Sequence, residues 1–588
     1  MLSFPFSELR PGQDEIISSV RSAIEDGEKL FIQAPTGMGK TAAVLYGAID
    51  AVKDNDCRIV FLTAKHTHQN IVYETLKKIK KSSGIDMVFT GVNGKRSMCL
   101  FENSVEPALF IEFCRAVREQ GLCDFYKNTF TRSKDVKAAA MEAMSRDISD
   151  PASIIEVSKE LELCPYEISL LNARRSKVIV ANYSHMFDPD ISYGFIAKTG
   201  LNLTKTIVIV DEAHNLPGKI VDANSFSISL RTLERAYNEA TLSGERGIAE
   251  KIDRIMSDIK DVKTEKLQNV SDIFSHSDAD TIDAITKQHE KGYNIPASFT
   301  LKKFVSFVLK LDESHLQYAS NDGGYVKLNL FALDPSRYSS ELINAFRSCI
   351  MISGTLKPLD MFAKLLGVPE SRRLVLEDGV AADNRLLINE TDTTSKFANR
   401  GDQYSMIAKR IDELLENFKH NMIIFFPSYS FMDSVFALIS KKDGIIKEQP
   451  KIDRDKKSAI LSALSRPGST LFAVIGGNFS ESIGLNNNII RLVAIVGVPF
   501  EPPSIRLKAM QEYYEKKFGN GFEYAQALPS MIKTMQAAGR AIRSGRDKAV
   551  VLLMDSRYSS GVFTKYLPAG IRTIDGSPLK IINEAGFN

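Results

Sequence analysis

The amino-acid sequence predicts an α/β protein built on parallel β-sheets, and three patterns lead to that prediction. Residues 30–41 read as a short apolar strand, a glycine-containing turn and the start of a helix. A β-branched apolar run at 206–211 stops abruptly in acidic residues. Beyond residue 403, strand-like runs such as NMIIFFPSY, TLFAVIGG and AVVLLMD alternate with helical spacers. Strands that alternate with helices in this way are typical of a parallel sheet with crossover helices.

The composition is that of a globular chain with several domains. The 588 residues are 44% hydrophobic and 25% charged, and a domain of roughly 100–200 residues would give three to five of them. We expect no signal peptide, because the N-terminus lacks a basic stretch followed by an apolar one. No apolar run reaches the ~18 residues that span a bilayer, and the few cysteines favour a reducing compartment. A net charge of +3 is too small to imply a polyanionic partner by itself.

The first strand and turn, LFIQAPTGMGKT, have the composition of a phosphate-binding loop. Gly37 and Gly39 allow backbone N–H groups to approach phosphates, and the helix that follows adds its partial positive charge. Lys40 is then placed to reach the β- and γ-phosphates of a nucleotide, and the Thr41 hydroxyl to ligate Mg²⁺. The position usually held by a first glycine is Ala34.

The acidic residues after the run at 206–211 predict the second half of a nucleotide site. Asp211 follows a buried parallel strand, which is where Mg²⁺ ligation is expected. Glu212 is placed to orient and deprotonate an attacking water. A solvated acidic turn would be the ordinary interpretation of either segment alone. Together with the upstream loop, the segment predicts an ATPase core.

A third segment, TMQAAGRAIRSGRDKAVVLLMD at 534–555, places three polar side chains on one helix face. Gln536, Arg540 and Arg543 are spaced at i, i+4 and i+7. A solvated basic face is the ordinary interpretation of such arginines. The small residues between them favour close packing against another surface, from which the arginines would stabilise charge on a transferring phosphoryl group.

The cysteines are unevenly distributed, since four of the six lie between residues 99 and 164. No CxxC pair occurs among them, which disfavours zinc. Four thiolates with no histidine at matching positions suit an iron–sulfur cluster, and the alternative is a set of inert buried thiols. The candidate metal ligands are Cys99, Cys114, Cys123 and Cys164. Cys57 and Cys349 lie in or beside apolar runs and are expected in the core.

Four segments in order, APTGMGKT, DEAH, SGTL (353–356) and QAAGRAIR (536–543), resemble the superfamily 2 helicases. The cysteines between the first two resemble the XPD family of iron–sulfur DNA helicases, which includes archaeal-type XPD and DinG-like relatives. The resemblance implies two RecA-like motor domains that sandwich ATP, with an iron–sulfur insertion and a helical Arch insertion in the first motor. It implies a four-iron, four-sulfur cluster on the four cysteines.

The resemblance also implies roles for further residues. Gln13 of RPGQ would contact adenine, and Thr36 completes the phosphate-binding loop. Two departures from the family pattern are Gly354, where alanine is usual, and Gly484, where an acidic residue is usual. Because of the second departure, Ser482 and Gly484 are not included among the site residues.

The resemblance and the apolar pattern together divide the chain into six segments. Ile252, Ile255, Ile259 and Val262 recur at helical spacing, so the segment after DEAH is expected to be a helical insertion. The expected boundaries are 1–84 (motor 1), 85–175 (iron–sulfur domain), 176–218 (motor 1), 219–330 (Arch), 331–383 (motor 1) and 384–588 (motor 2).

A candidate single-strand contact lies beside the cysteines. Lys95 and Arg96 precede the first thiol, and Tyr166 follows the last one within CPYE. Charge beside an aromatic ring suits backbone attraction combined with base stacking. The equal alternative is that Tyr166 packs against the cluster.

The expected function is ATP-dependent unwinding of DNA. The resemblance implies 5′→3′ movement on single-stranded DNA and a role in repair such as nucleotide excision. Expected cofactors are ATP, Mg²⁺ and the cluster; expected partners are single-stranded and forked DNA and repair-complex proteins, with no membrane partner and a monomeric chain. The expected location is cytoplasmic and nucleoid-associated, or nuclear in a eukaryote. Alternatives are a DinG-type helicase on R-loops or structured DNA, a non-unwinding ATP-gated damage sensor, and, less favoured, an RNA helicase.

Overall fold

A computed structural model describes residues 2–35, 37–101, 105, 109–131, 149–290, 295–376, 384–480, 490–541, 548–568 and 570–587. Its strands are β1 Lys29–Gln33, β2 Arg58–Thr63, β3 Phe89–Gly91, β4 Val178–Asn182, β5 Thr206–Asp211, β6 Phe226–Ser229, β7 Glu265–Leu267, β8 His315–Asp322, β9 Tyr325–Ala332, β10 Ser348–Ser353, β11 Arg372–Val375, β12 Arg385–Glu390, β13 Asn421–Phe426, β14 Ile445–Lys447, β15 Thr470–Val474, β16 Ile490–Val496, β17 Ala549–Met554 and β18 Arg572–Ile574.

The α-helices of at least eight residues alternate with these strands. They are Gln13–Asp26, Lys40–Val52, His66–Ser83, Phe110–Glu119, Asp124–Thr131, Pro151–Glu160, Pro165–Arg175, Pro189–Thr199, Leu216–Ala223, Leu230–Leu242, Arg246–Ile259, His276–His289, Ala297–Val308, Ser336–Ala345, Arg400–Asn417, Tyr429–Leu438, Arg454–Leu464, Ile505–Phe518 and Leu528–Ala538. Shorter ones are Lys95–Met98, Ser184–Phe187, Leu359–Leu365, Gly561–Thr564 and Leu579–Glu584. No helix within these described ranges is long and apolar enough to cross a membrane.

The first sheet has seven parallel strands in the order β11-β1-β10-β5-β2-β4-β3. Its central strands are Val- and Ile-rich because both of their faces are covered, as in other parallel sheets. All six residues of β10 are buried, and β5 is buried up to Asp211, which is half-exposed. The chain therefore brings its polar side chains to the carboxyl edge of an apolar sheet.

The second sheet also has seven parallel strands, in the order β14-β15-β13-β16-β17-β12-β18. The runs NMIIFFPSY, TLFAVIGG, LVAIVGVPF and AVVLLMD form β13, β15, β16 and β17, as the sequence predicts. Two parallel sheets, one early and one late in the chain, confirm the predicted α/β class. The expected motor boundary at 383/384 lies between β11 and β12, where residues 377–383 are outside the described part of the chain.

The segment between β5 and β10 differs from the helical insertion that we expected. Its helices are present, and Ile252, Ile255 and Ile259 are buried as predicted. It also holds a four-stranded antiparallel sheet in the order β6-β9-β8-β7. The β8–β9 hairpin turns through Gly323 and Gly324, whose φ angles are 60° and 92°, and paired left-handed residues are what a tight hairpin turn requires.

The strand signal in this segment is the alternation of buried and less buried residues along β9. Such a period of two is the pattern of a strand with one face against a core. The helical interpretation took the isoleucine spacing of one helix as typical of the whole segment.

The cysteine segment lies between β3 and β4, two neighbouring strands at one end of the first sheet. Its described part is helical, from Lys95–Met98 to Pro165–Arg175.

Candidate functional site

The phosphate-binding loop follows β1 and leads into the helix Lys40–Val52, as predicted. Gly37 and Gly39 have φ angles of 83° and 81°, a left-handed conformation that favours glycine. The Lys40 amine donates to the carbonyl oxygen of Pro35 at 3.1 Å, so it lies over the loop. Thr41 is the second residue of the helix. Thr36 is outside the described residues.

The segment RPGQ packs against this loop. The Gln13 side-chain amide donates to the carbonyl oxygen of Gly39 at 3.1 Å and accepts from the Arg10 backbone amide at 2.9 Å. The Arg10 guanidinium donates to the carbonyl oxygen of Gly37 at 2.5 Å. A methyl group at Gly39 would lie 2.5 Å from the Gln13 nitrogen, so this contact also requires glycine. The contact of Gln13 with adenine stays a prediction.

Asp211 and Lys40 lie at the same carboxyl edge, because β10 alone separates β1 from β5. Burial and the charge of Glu212 raise the pKa of Asp211 to about 7, and Lys40 opposes that shift. A carboxylate held this way is stabilised by an adjacent cation. The oxygen donors of Asp211 and Thr41 are those that Mg²⁺ prefers, so the residues present fit this ion.

Glu212 begins the turn after β5 with a φ of 50°, in the left-handed region. The Ser353 hydroxyl donates to its carboxylate at 2.8 Å. The Nδ1 atom of His214 lies 2.7 Å from the Ser353 oxygen. Burial acts to raise the pKa of Glu212, but His214, the charge of Lys40 and the Ser353 hydrogen bond lower it overall. Glu212 is thereby held as a carboxylate at the edge of the sheet.

A side chain from the helices of the second sheet extends these hydrogen bonds into a relay. The Gln536 amide nitrogen, on the helix Leu528–Ala538, lies 2.6 Å from Nε2 of His214. The amide donates, so Nε2 accepts and Nδ1 carries the proton that His214 donates to Ser353. Gln536, His214, Ser353 and Glu212 thus form one hydrogen-bonded chain across the two sheets. His214 lies in DEAH and Ser353 in SGTL, but the spacing of these motifs did not identify either residue as part of the site.

The helix ends at Ala538, so the prediction that Arg540 shares a helix face with Gln536 is wrong. Arg540 lies in the turn that follows and contacts a different element. Its Nε and Nη2 atoms donate to the carbonyl oxygen of Ser480 at 3.1 and 2.8 Å. Arg543, like Ser482 and Gly484, is outside the described residues. The roles assigned to both arginines stay predictions.

Tyr183 is hydrogen-bonded to the backbone of the acidic turn, a contact that the sequence did not predict. It follows β4, and its hydroxyl donates to the carbonyl oxygens of Asp211 and, at 2.9 Å, of Glu212. The ring is 3% exposed, and burial holds the pKa of the phenol well above its usual range. The only sequence signal for it is its place directly after a strand of the same sheet.

The four clustered cysteines line one cavity, together with Phe101, Phe110, Tyr126 and Tyr166. All four are free thiols. Burial raises the pKa of Cys99 and Cys123, and that of Cys164 to about 12. In the described ranges, no three His, Cys, Asp or Glu side chains are arranged to hold one metal ion. An iron–sulfur cluster is held by cysteine thiolates, and these four thiols supply that type of ligand around one cavity.

The candidate single-strand contact beside the cavity is only partly accessible. The Lys95 amine lies 5.4 Å from the centre of the Tyr166 ring, and Tyr166 is 8% exposed. Arg96 is exposed. This arrangement favours the packing role of Tyr166 over base stacking, and the DNA contacts stay predictions. Of the remaining cysteines, Cys349 is fully buried in β10, as predicted.

Three family models match the chain at the segments described above. A DEAD/DEAH box helicase model matches residues 10–111, the DEAD_2 model matches residues 62–233, and a helicase C-terminal domain model matches residues 411–574.

Full-length relatives match as well. The chain is 26% identical to the ATP-dependent DNA helicase XPD of Sulfolobus acidocaldarius, over 95% of this chain and 98% of that protein. It is 24% identical to the ATP-dependent DNA helicase CHL1 of Candida glabrata, over 93% of this chain and 75% of that protein.

Solved structures show the same fold. One described as XPD_Helicase has a TM-score of 0.68 at 22% identity and covers 97% of this chain and all of its own. S. tokodaii Xpd4 has a TM-score of 0.65 at 16% identity and covers 96% of this chain and all of its own. The family models and the relatives together indicate an ATP-dependent DNA helicase that is similar, over most of its length, to the helicases XPD and CHL1.

Proposed function

We propose that the chain hydrolyses ATP between its two parallel sheets and uses it to unwind DNA 5′→3′ from a single-stranded tail, in a repair process such as nucleotide excision. The observation that carries the proposal is the contact of Gln536 with His214. It connects the second sheet to the acidic edge of the first, so a change at the nucleotide would alter the relation between the two sheets. That coupling is what a translocating motor needs.

The proposed roles follow from position at the edge. Lys40 binds the β- and γ-phosphates, and Thr41 and Asp211 hold Mg²⁺, which would neutralise charge on the phosphates. Glu212 orients the attacking water and accepts its proton. Arg540 and Arg543 would stabilise the charge that develops during transfer.

The four cysteines of the cavity would hold a four-iron, four-sulfur cluster. Such a cluster would fix the helices around it by four covalent bonds, in a segment whose described apolar cluster is small: Phe110, Phe113 and Val117 are its fully buried members. Arg96 and Lys95 would contact the single strand that enters there, while Tyr166 packs beside Lys95 at the cavity. The DNA partner would be a fork, the chain would act as a monomer alongside repair-complex proteins, and its location would be cytoplasmic and nucleoid-associated, or nuclear in a eukaryote.

The test is strand displacement on forked DNA that carries either a 5′ or a 3′ single-stranded tail. The protein is purified without oxygen, ATP is present, and Lys40→Ala serves as the control without turnover. Displacement from the 5′ tail alone supports the proposal. Displacement from the 3′ tail overturns the polarity. DNA-stimulated hydrolysis with no displacement from either tail overturns the unwinding function and favours an ATP-gated sensor.

A further inference from the structure

A buried carboxylate in the second sheet joins three loops that follow neighbouring strands. Glu448 comes directly after β14 and is 1% exposed. Its backbone amide donates to the carbonyl oxygen of Phe472 at 2.9 Å and so extends the β14–β15 ladder by one residue. The side chain therefore starts from a fixed point at the carboxyl edge of the sheet.

Four donors converge on this carboxylate. Oε1 accepts from the Asn478 backbone amide at 2.5 Å, from the Asn478 side-chain amide at 3.0 Å and from the Tyr429 hydroxyl at 3.1 Å. Oε2 accepts from the Val474 backbone amide at 2.8 Å. Tyr429 follows β13, while Val474 ends β15 and Asn478 follows it. All four donors are neutral groups, and among the described residues no ion pair is formed with this carboxylate. Its buried oxygens therefore depend on these hydrogen bonds.

The loop residue Gly477 shows how closely the backbone approaches Glu448. A methyl group at Gly477 would lie 2.6 Å from Oε1 and 2.9 Å from Oε2. Those distances are shorter than any real contact of such a carbon. The carbonyl oxygen of Val474 would also lie 2.9 Å from that methyl group. The φ of Gly477 is not in the left-handed region, so crowding by the Glu448 carboxylate and the Val474 carbonyl, and not backbone conformation, favours glycine here.

The loop that Glu448 holds leads directly to Arg540. The Ser480 amide and hydroxyl donate to the carbonyl oxygen of Gly477 at 3.3 and 3.0 Å. The carbonyl oxygen of Ser480 accepts both hydrogen bonds from Arg540. The arginine is thus connected to the carboxylate through four loop residues that share one hydrogen-bonded turn.

We infer that Glu448 is a positioning residue for hydrolysis: its carboxylate sets the loop 474–480, and that loop sets the place from which Arg540 acts on the nucleotide. The inference rests on the proposed function, in which Arg540 contacts the transferring phosphoryl group. Glu448 itself is buried, so it would act through the loop and not on the nucleotide directly.

Glu448→Gln tests this inference with almost no change in shape. An amide has one acceptor oxygen, so its NH₂ group would face either the Val474 amide or the donors around Oε1. We expect the DNA-stimulated kcat to fall about tenfold, since small misplacements of a catalytic group have effects of this size or larger. The KM for ATP should stay within about twofold, because the phosphate-binding loop belongs to the other sheet.

A matched control separates positioning from stability. Glu390 is also fully buried in the second sheet, at the end of β12, and accepts from the Thr393 hydroxyl at 2.7 Å. Glu390→Gln should lower the melting temperature by a similar amount and leave kcat unchanged. A loss of kcat of equal size in both variants overturns the inference, because general destabilisation would then explain both.

Two further variants keep the test decisive. Gly477→Ala disturbs the same contact from the loop side and should lower kcat like Glu448→Gln, so it replaces that variant if the latter does not fold. Combining Glu448→Gln with Arg540→Ala should be no worse than Arg540→Ala alone; multiplied defects overturn the inference. Failure of the proposed function would give a different result: the wild-type chain would show no more DNA-stimulated ATP hydrolysis than Lys40→Ala.

Discussion

Tyr183→Phe removes one hydroxyl from beneath the acidic turn and leaves the packing of the ring in place. The hydroxyl donates to the carbonyl oxygens of Asp211 and Glu212. The Glu212 oxygen keeps a second donor, the Asn215 amide at 3.0 Å. The loss is therefore one neutral hydrogen bond, which contributes about 1 kcal/mol to the free energy of unfolding.

The same loss predicts the effect on hydrolysis. A left-handed conformation costs a residue other than glycine about 1–2 kcal/mol, and Glu212 has a φ of 50°. Tyr183 helps to hold that conformation. If the loss of about 1 kcal/mol shifts the equilibrium away from the active conformation of the turn, kcat falls about fivefold. The KM for ATP should change less than about twofold, because Lys40 and its loop do not contact Tyr183.

Steady-state, DNA-stimulated ATP hydrolysis at saturating single-stranded DNA measures both constants. Tyr558→Phe is the matched control, because Tyr558 is fully buried and donates to the carbonyl oxygen of Gly497 at 2.9 Å, at the second sheet. It should lose similar stability with kcat unchanged. A Tyr183→Phe enzyme with wild-type kcat and a lowered melting temperature would refute the idea that this hydroxyl positions the acidic turn.

Three other outcomes are expected. Cys164→Ser should lower the iron and sulfide content from about four of each per chain and impair unwinding more than hydrolysis. Cys57→Ser should keep the wild-type iron and sulfide content, and equal iron in the two variants would contradict the cluster assignment. Gln536→Ala should lower kcat roughly threefold to tenfold by removing one hydrogen bond, and an unchanged kcat would show that its contact is dispensable. Burial acts to raise the pKa of Asp334, but hydrogen bonds, including one from Lys517, lower it overall. The stabilising contribution of Asp334 is therefore present above about pH 4 and is lost as the pH falls through the lowered pKa. The melting temperatures of wild type and Asp334→Asn should converge in acid, and a constant difference would contradict this.

The parallel sheets were predictable because their strands are local patterns. A buried run such as β17 is a continuous apolar stretch, and the acidic residue that follows it marks the edge of the sheet. The phosphate-binding loop and the Asp211 turn were predictable for the same reason, since each is specified within about ten residues.

The relay between them was beyond sequence reasoning, because its contacts join distant positions. His214 and Ser353 are 139 residues apart, and Gln536 and His214 are 322 apart. The antiparallel sheet of the Arch segment was missed for a different reason: a strongly amphipathic helix, Arg246–Ile259, dominated the local pattern. The position of Glu448 was also unpredictable, because a single glutamate after a short strand has no distinctive spacing.

Both insertions leave and re-enter the first sheet at neighbouring strands. The cysteine segment connects β3 to β4, and the Arch segment connects β5 to β10; each pair is directly hydrogen-bonded. Because both pairs are parallel, each insertion leaves at the carboxyl end of one strand and re-enters at the amino end of its neighbour. Its two ends are therefore separated by the length of a strand, ~20 Å for β5 and β10. A domain exchanged for either insertion must therefore include a segment that crosses from one edge of the sheet to the other, while additional length adds little closure entropy. The sheet therefore determines where each insertion begins and ends, whatever domain lies between those two points.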